Sequence, residues 1–139
     1  MDRLSMALDN YKNSGMGLLR VAVGLIVLQA GYTKIFVWGL SATAGNFQKM
    51  GFVLPQVVGT FVGGLELAGG ALLTLGLFTR YLGLIFALHF SVAAYVVWVV
   101  MGQGMIPARL PLLLVIVMLA VATNGGGALN LGTMLRKGA

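Results

Sequence analysis

The sequence contains no cysteine, which excludes disulfides, thiol redox chemistry, iron–sulfur ligation and Cys-based zinc sites from this chain. Charge is nearly as scarce. Only 9% of the residues are charged, against about 25% in ordinary soluble domains. Too little polar surface remains to cover a water-facing globule, and with 59% of the residues hydrophobic the natural solvent for long stretches is lipid. Histidine is down to one, His89. It cannot ligate a metal alone, and as an axial haem ligand it would need a partner from elsewhere. No haem, flavin or metal site is evident, and no residue stands out as catalytic. The net charge of +6 comes from scattered basic residues, not from a clustered face, so nucleic acid is not an expected partner. The run Gly125-Gly126-Gly127 precedes no lysine, so it reads as a helix stop or turn and not as a phosphate loop.

What is present is apolar sequence in four blocks. They cover residues 15–38, 57–77, 81–101 and 108–123, the last short against the ~20 residues a helix needs to span a bilayer. The expected fold is therefore all-α: a transmembrane four-helix bundle forming a single domain, residues 1–139. A polar, Gly-containing segment at 39–55 carries Phe47, Met50 and Phe52 and reads as a short interfacial helix between helices 1 and 2. Residues 78–80 form a tight turn, and Pro107 marks a break before the last helix. Trp38, Tyr81 and Trp98 fall near helix ends, as interfacial aromatics do. Arg3, Lys12, Arg80, Arg136 and Lys137 fall on one side, Lys49 and Arg109 on the other, which favours both termini in the cytoplasm. The first apolar block is too long for a signal peptide and lacks a small-residue cleavage pattern, so it is expected to be retained.

Three charges interrupt the spans: Arg20, Lys34 and Glu66. Each costs about 2.5–3.5 kcal/mol at mid-bilayer if it is unpaired. In helix 1, Gly17, Gly24 and Gly31 share a narrow face with Arg20, Val27 and Lys34; in helix 2, Gly59, Gly63, Glu66 and Gly70 share another. Glycine faces let backbones approach closely, so these two faces are expected to pack together with the charges inside. A buried triad of Arg20, Lys34 and Glu66 follows, either as a functional cluster or as glue for the bundle. His89, about nine residues into helix 3, falls at the depth of Glu66 and could relay protons or bond a quinone carbonyl. The expected intramembrane polar cluster is therefore Arg20, Lys34, Glu66 and His89, with a Glu66–His89 pair at mid-depth. The alternative is that the small-residue face of Gly83, Ala87, Ser91 and Ala94 is the packing face, in which case His89 points elsewhere, toward a partner subunit.

Several of these residues together resemble a known family. Leu19-Arg20, Gly24, Gly31 and Lys34 are similar to the first-helix pattern of the DoxX family of small bacterial and archaeal membrane proteins. Leu65-Glu66-Leu67, Gly69-Gly70, Gly76 and Thr79-Arg80 resemble its second-helix signature, and residues 47–55 with Met50-Gly51 resemble its loop. The run from Gly125 through Ala128-Leu129-Asn130-Leu131 resembles its closing tail, but Asn130 and Gly132 stand where Ser and Asp are usual, so no role passes to an acidic residue there. The resemblance implies a four-helix membrane fold in a prokaryotic inner membrane. It also implies association with oxidoreductases, among them a thiosulfate:quinone oxidoreductase.

The leading functional expectation is a membrane subunit or accessory protein of a quinone-linked oxidoreductase complex, lining a quinone or lipid pocket. It would not be a stand-alone enzyme: electrons would come from a partner, since the sequence offers no redox centre of its own. Partner membrane or peripheral subunits, or further copies of the chain, are expected alongside the lipid bilayer. The alternatives are a purely structural anchor and, third, a small proton-coupled transporter. The last needs a carboxylate free to gain and lose a proton, whereas Glu66 sits among cations.

Overall fold

A computed structural model describes residues 3–127. The tail with Asn130 and Gly132 and the basic pair Arg136 and Lys137 lie outside the described residues. A short helix, α1 (Arg3–Asp9), leads into α2 (Lys12–Tyr32), which continues through a π-helical turn, Thr33–Val37. Then come α3 (Leu40–Lys49), α4 (Pro55–Leu75), α5 (Thr79–Tyr95) with its own π turn at Val96–Val100, and α6 (Met105–Asn124). Four of these elements are long and apolar enough to cross a membrane: Lys12–Val37, Pro55–Leu75, Thr79–Val100 and Met105–Asn124. The chain is thus an all-α transmembrane four-helix bundle, and the short helix expected between the first two spans is α3.

Local chemistry sets the boundaries. Pro55 opens α4, where its fixed φ suits a first helical turn and its missing N–H costs nothing. Gly76 ends that helix in the left-handed region (φ 80°), and the next amide, Leu77, bonds back to the Leu72 carbonyl at 2.9 Å. The second span therefore stops at Leu75, short of residue 77. The fourth span corrects the sequence reading more sharply. Pro107 is not a break before the helix but part of its first turn, where no N–H partner is required. Starting at Met105 gives α6 twenty residues, about 30 Å of rise, enough to span.

The helices associate as two antiparallel pairs. In the α2–α4 pair the two backbones touch. An added Cβ at Gly24 would stand 2.8 Å from the Thr74 backbone nitrogen, and one at Gly31 or Gly70 would strike the backbone of Leu67 or Leu28. The faces expected from glycine spacing are the faces that meet, except that Gly17 packs against Gly127, and Gly59 against Thr43 of α3. Gly63 is less tightly held, since its neighbours are the side chains of Ile35 and Lys34. In the α5–α6 pair, Gly83 lies against the backbone of Met118 and Ala122, each 2.8 Å from an added Cβ.

The two pairs join at the end of the bundle that holds the start of α2 and residues 125–127, here the terminal end. Val23, Val27, Leu73, Leu82, Phe86, Met118 and Val121 fill the space there, with the Phe86 ring seated on Gly69. Toward the opposite, loop end no such plug exists, and a cleft separates the pairs.

This packing predicts that Gly70→Ala loses about 1–3 kcal/mol through overpacking, because the atoms in the way are backbone. Gly64→Ala, with open space around it, and Val92→Leu, on an exposed face, should be nearly neutral. Thermal unfolding of the three variants in mild detergent checks this; equal midpoints would mean that α2 and α4 do not meet through this face.

Candidate intramembrane site

Glu66 stands at the middle of α4, only 4% exposed. Both of its carboxylate oxygens are engaged. Lys34 Nζ donates to Oε2 at 2.8 Å, and His89 Nε2 lies 3.1 Å from Oε1. With the carboxylate ionised, Nε2 must be the protonated ring nitrogen, since a carboxylate only accepts. Three helices thus contribute one group each to a single buried ion cluster.

Each partner is positioned by local structure. Lys34 belongs to the π turn, in which the Trp38 amide reaches back five residues to the Thr33 carbonyl at 2.8 Å. Such turns widen a helix and recur at functional sites. The Lys34 carbonyl accepts a 2.7 Å bond from Thr43 Oγ1, a fully buried hydroxyl on α3. That bond ties α3 to the turn and fixes the backbone from which the lysine reaches inward. His89 is clasped edge-on by two rings, with centroids 5.0 Å from Phe90 and 6.1 Å from Phe86. It pairs with Glu66 as expected, and the alternative in which it points toward a partner does not hold. The small face of α5 does pack on α6, but the helix pairs face one another, so the side opposite that contact looks across the cleft to α4.

Arg20 is not in the cluster. It is completely buried at the terminal end, where Nη1 donates to the Gly126 carbonyl at 2.8 Å and Nη2 lies 3.4 Å from the Thr74 carbonyl. Thr74 is two turns beyond Glu66, about 12 Å along the helix. Arg80 works beside it, donating to the Thr123 carbonyl at 3.0 Å. Both guanidinium groups therefore serve carbonyls at helix C-termini, where cations are favoured. The expected triad of Arg20, Lys34 and Glu66 is replaced by Lys34, Glu66 and His89. Gln29 is exposed and takes no part.

The cluster forms the polar head of the cleft, a cavity of about 610 Å³ with otherwise apolar walls. Its volume falls in the ~300–1,000 Å³ range of small-molecule sites. Phe47, Met50 and Phe52, from α3 and its following loop, line it at the loop end. Ile26, Phe61, Leu88 and Val92 line it at mid-helix and are themselves exposed, so the cleft opens sideways into the lipid. Sequence reading missed Thr43 and both π turns; the buried threonine of α3 carried no periodic signal of its own. Among the described residues, no group of three His, Cys, Asp or Glu side chains could hold a metal.

The model of the DoxX family matches residues 15–100. A Bacillus subtilis (strain 168) protein named "Putative oxidoreductase CatD" is 32% identical over 124 residues, covering 89% of each chain. No solved structure matches the chain significantly.

Removing one member of a buried charged set costs about 3–5 kcal/mol, because its partners are left uncompensated. Glu66→Gln should therefore accumulate poorly or unfold early. Lys34→Met in the same chain should restore it, whereas Arg20→Met should not, since Arg20 is bonded elsewhere. Membrane abundance and detergent melting temperature of the single and double variants decide the matter; rescue by Arg20→Met would contradict the pairing.

Proposed function

The chain belongs to the DoxX family, and from that membership and the polar-headed cleft we propose that it is a membrane subunit of, or accessory protein to, a quinone-linked oxidoreductase complex. The observation that carries this reading is the Lys34–Glu66–His89 cluster, set at the head of an apolar cavity that opens to lipid. A lipid-soluble quinone combines an apolar body with carbonyl oxygens that only accept hydrogen bonds. Lys34 has three N–H donors, and Glu66 accepts one of them; a further one is free for a carbonyl. Glu66 holds the ammonium and the imidazole at one height, so its part is positioning.

Reduction of a quinone to a quinol takes up two electrons and two protons. A partner subunit supplies the electrons. Lys34 is the group able to pass protons to the carbonyl oxygens in turn, regaining its proton between transfers, while His89, whose Nε2–H is given to Glu66, helps to hold the carboxylate in place. The relative's name, which contains "oxidoreductase", supports a redox setting in general terms. We further propose a prokaryotic inner-membrane location with both termini cytoplasmic, on the balance of Arg3, Lys12, Arg80, Arg136 and Lys137 against Lys49 and Arg109.

Two measurements test these readings. Protein purified in mild detergent should carry extractable quinone, and the Glu66→Gln/Lys34→Met double variant, which removes the ion pair whole and so still folds, should carry less. The partner complex containing a Glu66→Gln chain, stabilised by Lys34→Met, should assemble yet lose quinone-linked turnover; full turnover would refute the site. For orientation, cysteines introduced at Ser5 and Ser41 should react with impermeant reagents from opposite sides of the membrane, and labelling of Ser5 from outside would reverse the assignment.

A further inference from the structure

A second groove lies between α5 and α6, on the lipid-facing side of that pair, with a volume of about 690 Å³. Ser91, Tyr95 and Trp98 form one wall, and Arg109, Leu113 and Ile116 belong to the other. It is independent of the Glu66 cleft and shares no lining residue with it.

Its length is informative. From Ser91 to Val99 on α5, and from Met105 to Ile116 on α6, it runs about 12–16 Å at the rise of a helix. That is half of the ~30 Å hydrocarbon core, one leaflet deep. The inner end, at Ser91, falls near mid-helix, and the outer end, at Val99 and Met105, falls where the spans finish. The only formal charge on the walls is Arg109, which is exposed about one turn inside the loop end of α6.

Among the described residues, Arg109 meets no carboxylate. The chain contains three acidic residues, Asp2, Asp9 and Glu66. Asp9 pairs with Lys12 at 3.1 Å near the terminal end, Glu66 is held by Lys34 and His89, and Asp2 lies outside the described residues. A cation on a lipid-facing surface within a turn of the span's end can take its counter-charge from the membrane. Trp98 and Tyr95 beside it are the side chains favoured at headgroup depth.

We propose that this groove is a binding site for one anionic glycerophospholipid, with its phosphate on Arg109 and one acyl chain laid along the groove as far as Ser91. A membrane-facing slot one leaflet long with a single cation at the headgroup end matches the two parts of that molecule. A zwitterionic lipid fits the slot equally well but brings its own cation to the phosphate, so Arg109 gives the site preference for the anionic class.

The full chain in nanodiscs or detergent, titrated with dioleoyl-phosphatidylglycerol or dioleoyl-phosphatidylcholine and read by native mass spectrometry, tests this. One phosphatidylglycerol per chain should be retained in preference to phosphatidylcholine. Arg109→Gln should reduce that preference about fivefold, the size of one basic side chain's interaction with an anionic lipid surface, and Arg109→Lys should keep most of it. Ser91→Phe, which fills the inner end without touching Arg109, should lower retention of both lipids. Lys49→Gln, a basic residue on α3 outside the groove, should change nothing. Equal retention of the two lipids by the wild type, or an Arg109→Gln variant that behaves as wild type, would overturn the proposal. So would efficient disulfide formation between chains carrying Ile116→Cys, which would make the groove an interface between copies.

Discussion

The close approach of α2 to α4 is the constraint on which the rest of the molecule depends. Without side chains at Gly24, Gly31 and Gly70 the two backbones come into direct contact, and in lipid such packing, not apolar burial, is what drives helix association. Contact at this range fixes the helices in height as well as in rotation. It sets the Lys34 turn beside Gly63 and within reach of Glu66. A looser pair could slide by a turn, and a slide of about 5.4 Å would force the lysine out of the side-chain conformation that gives the 2.8 Å bond.

The same constraint explains why charge is handled differently at the two levels of the bundle. At the terminal end the helices present carbonyl groups at their C-termini, and Arg20 and Arg80 meet them. Cations are favoured at such positions by the helix dipoles and by the backbone groups they bond. At mid-bilayer no helix end is available, so a carboxylate there must be matched by side chains, and Glu66 uses one from each neighbouring span. The apolar plug of Leu73, Phe86 and Met118 lies between the two systems, which keeps the arginines out of the Glu66 cluster.

Much of this was legible in the sequence, and the parts that were not share a cause. Four apolar blocks and two glycine faces are periodic signals, and they gave the spans and the α2–α4 contact. A helical wheel reports direction but not depth. Arg20 and Lys34 are fourteen residues apart on one face, about 21 Å, and the wheel could not say which of them stands level with Glu66. It also assumes regular α geometry, so the π turn that carries Lys34 was invisible to it. Depth alone pairs His89 with Glu66, but the small-residue face leaves its direction open in sequence, because packing on that face does not exhaust the inward side of α5. In a bundle of two pairs, each helix has a second inward side. Pro107 was read as a breaker because a proline near a helix start and one just outside it look alike in sequence, and only the position of the first turn distinguishes them.

The unfilled half of the bundle then acquires a meaning that neither its walls nor its head has alone. Both oxygens of Glu66 are satisfied, so the cluster stands without a ligand. Lys34, though, retains N–H groups beyond the one given to the carboxylate, and its side chain is 20% exposed beside the cleft. Unused donors next to hydrocarbon are costly, and their cost falls when an acceptor arrives that the cleft can also enclose. Water meets the first condition but leaves the apolar walls wet, while a lipid tail meets the second but brings no acceptor. An amphiphile with a small accepting head meets both. On the proposed reading, selectivity rests on the pairing of the Lys34 ammonium with apolar walls, which depends on the α2–α4 contact holding Lys34 at that height.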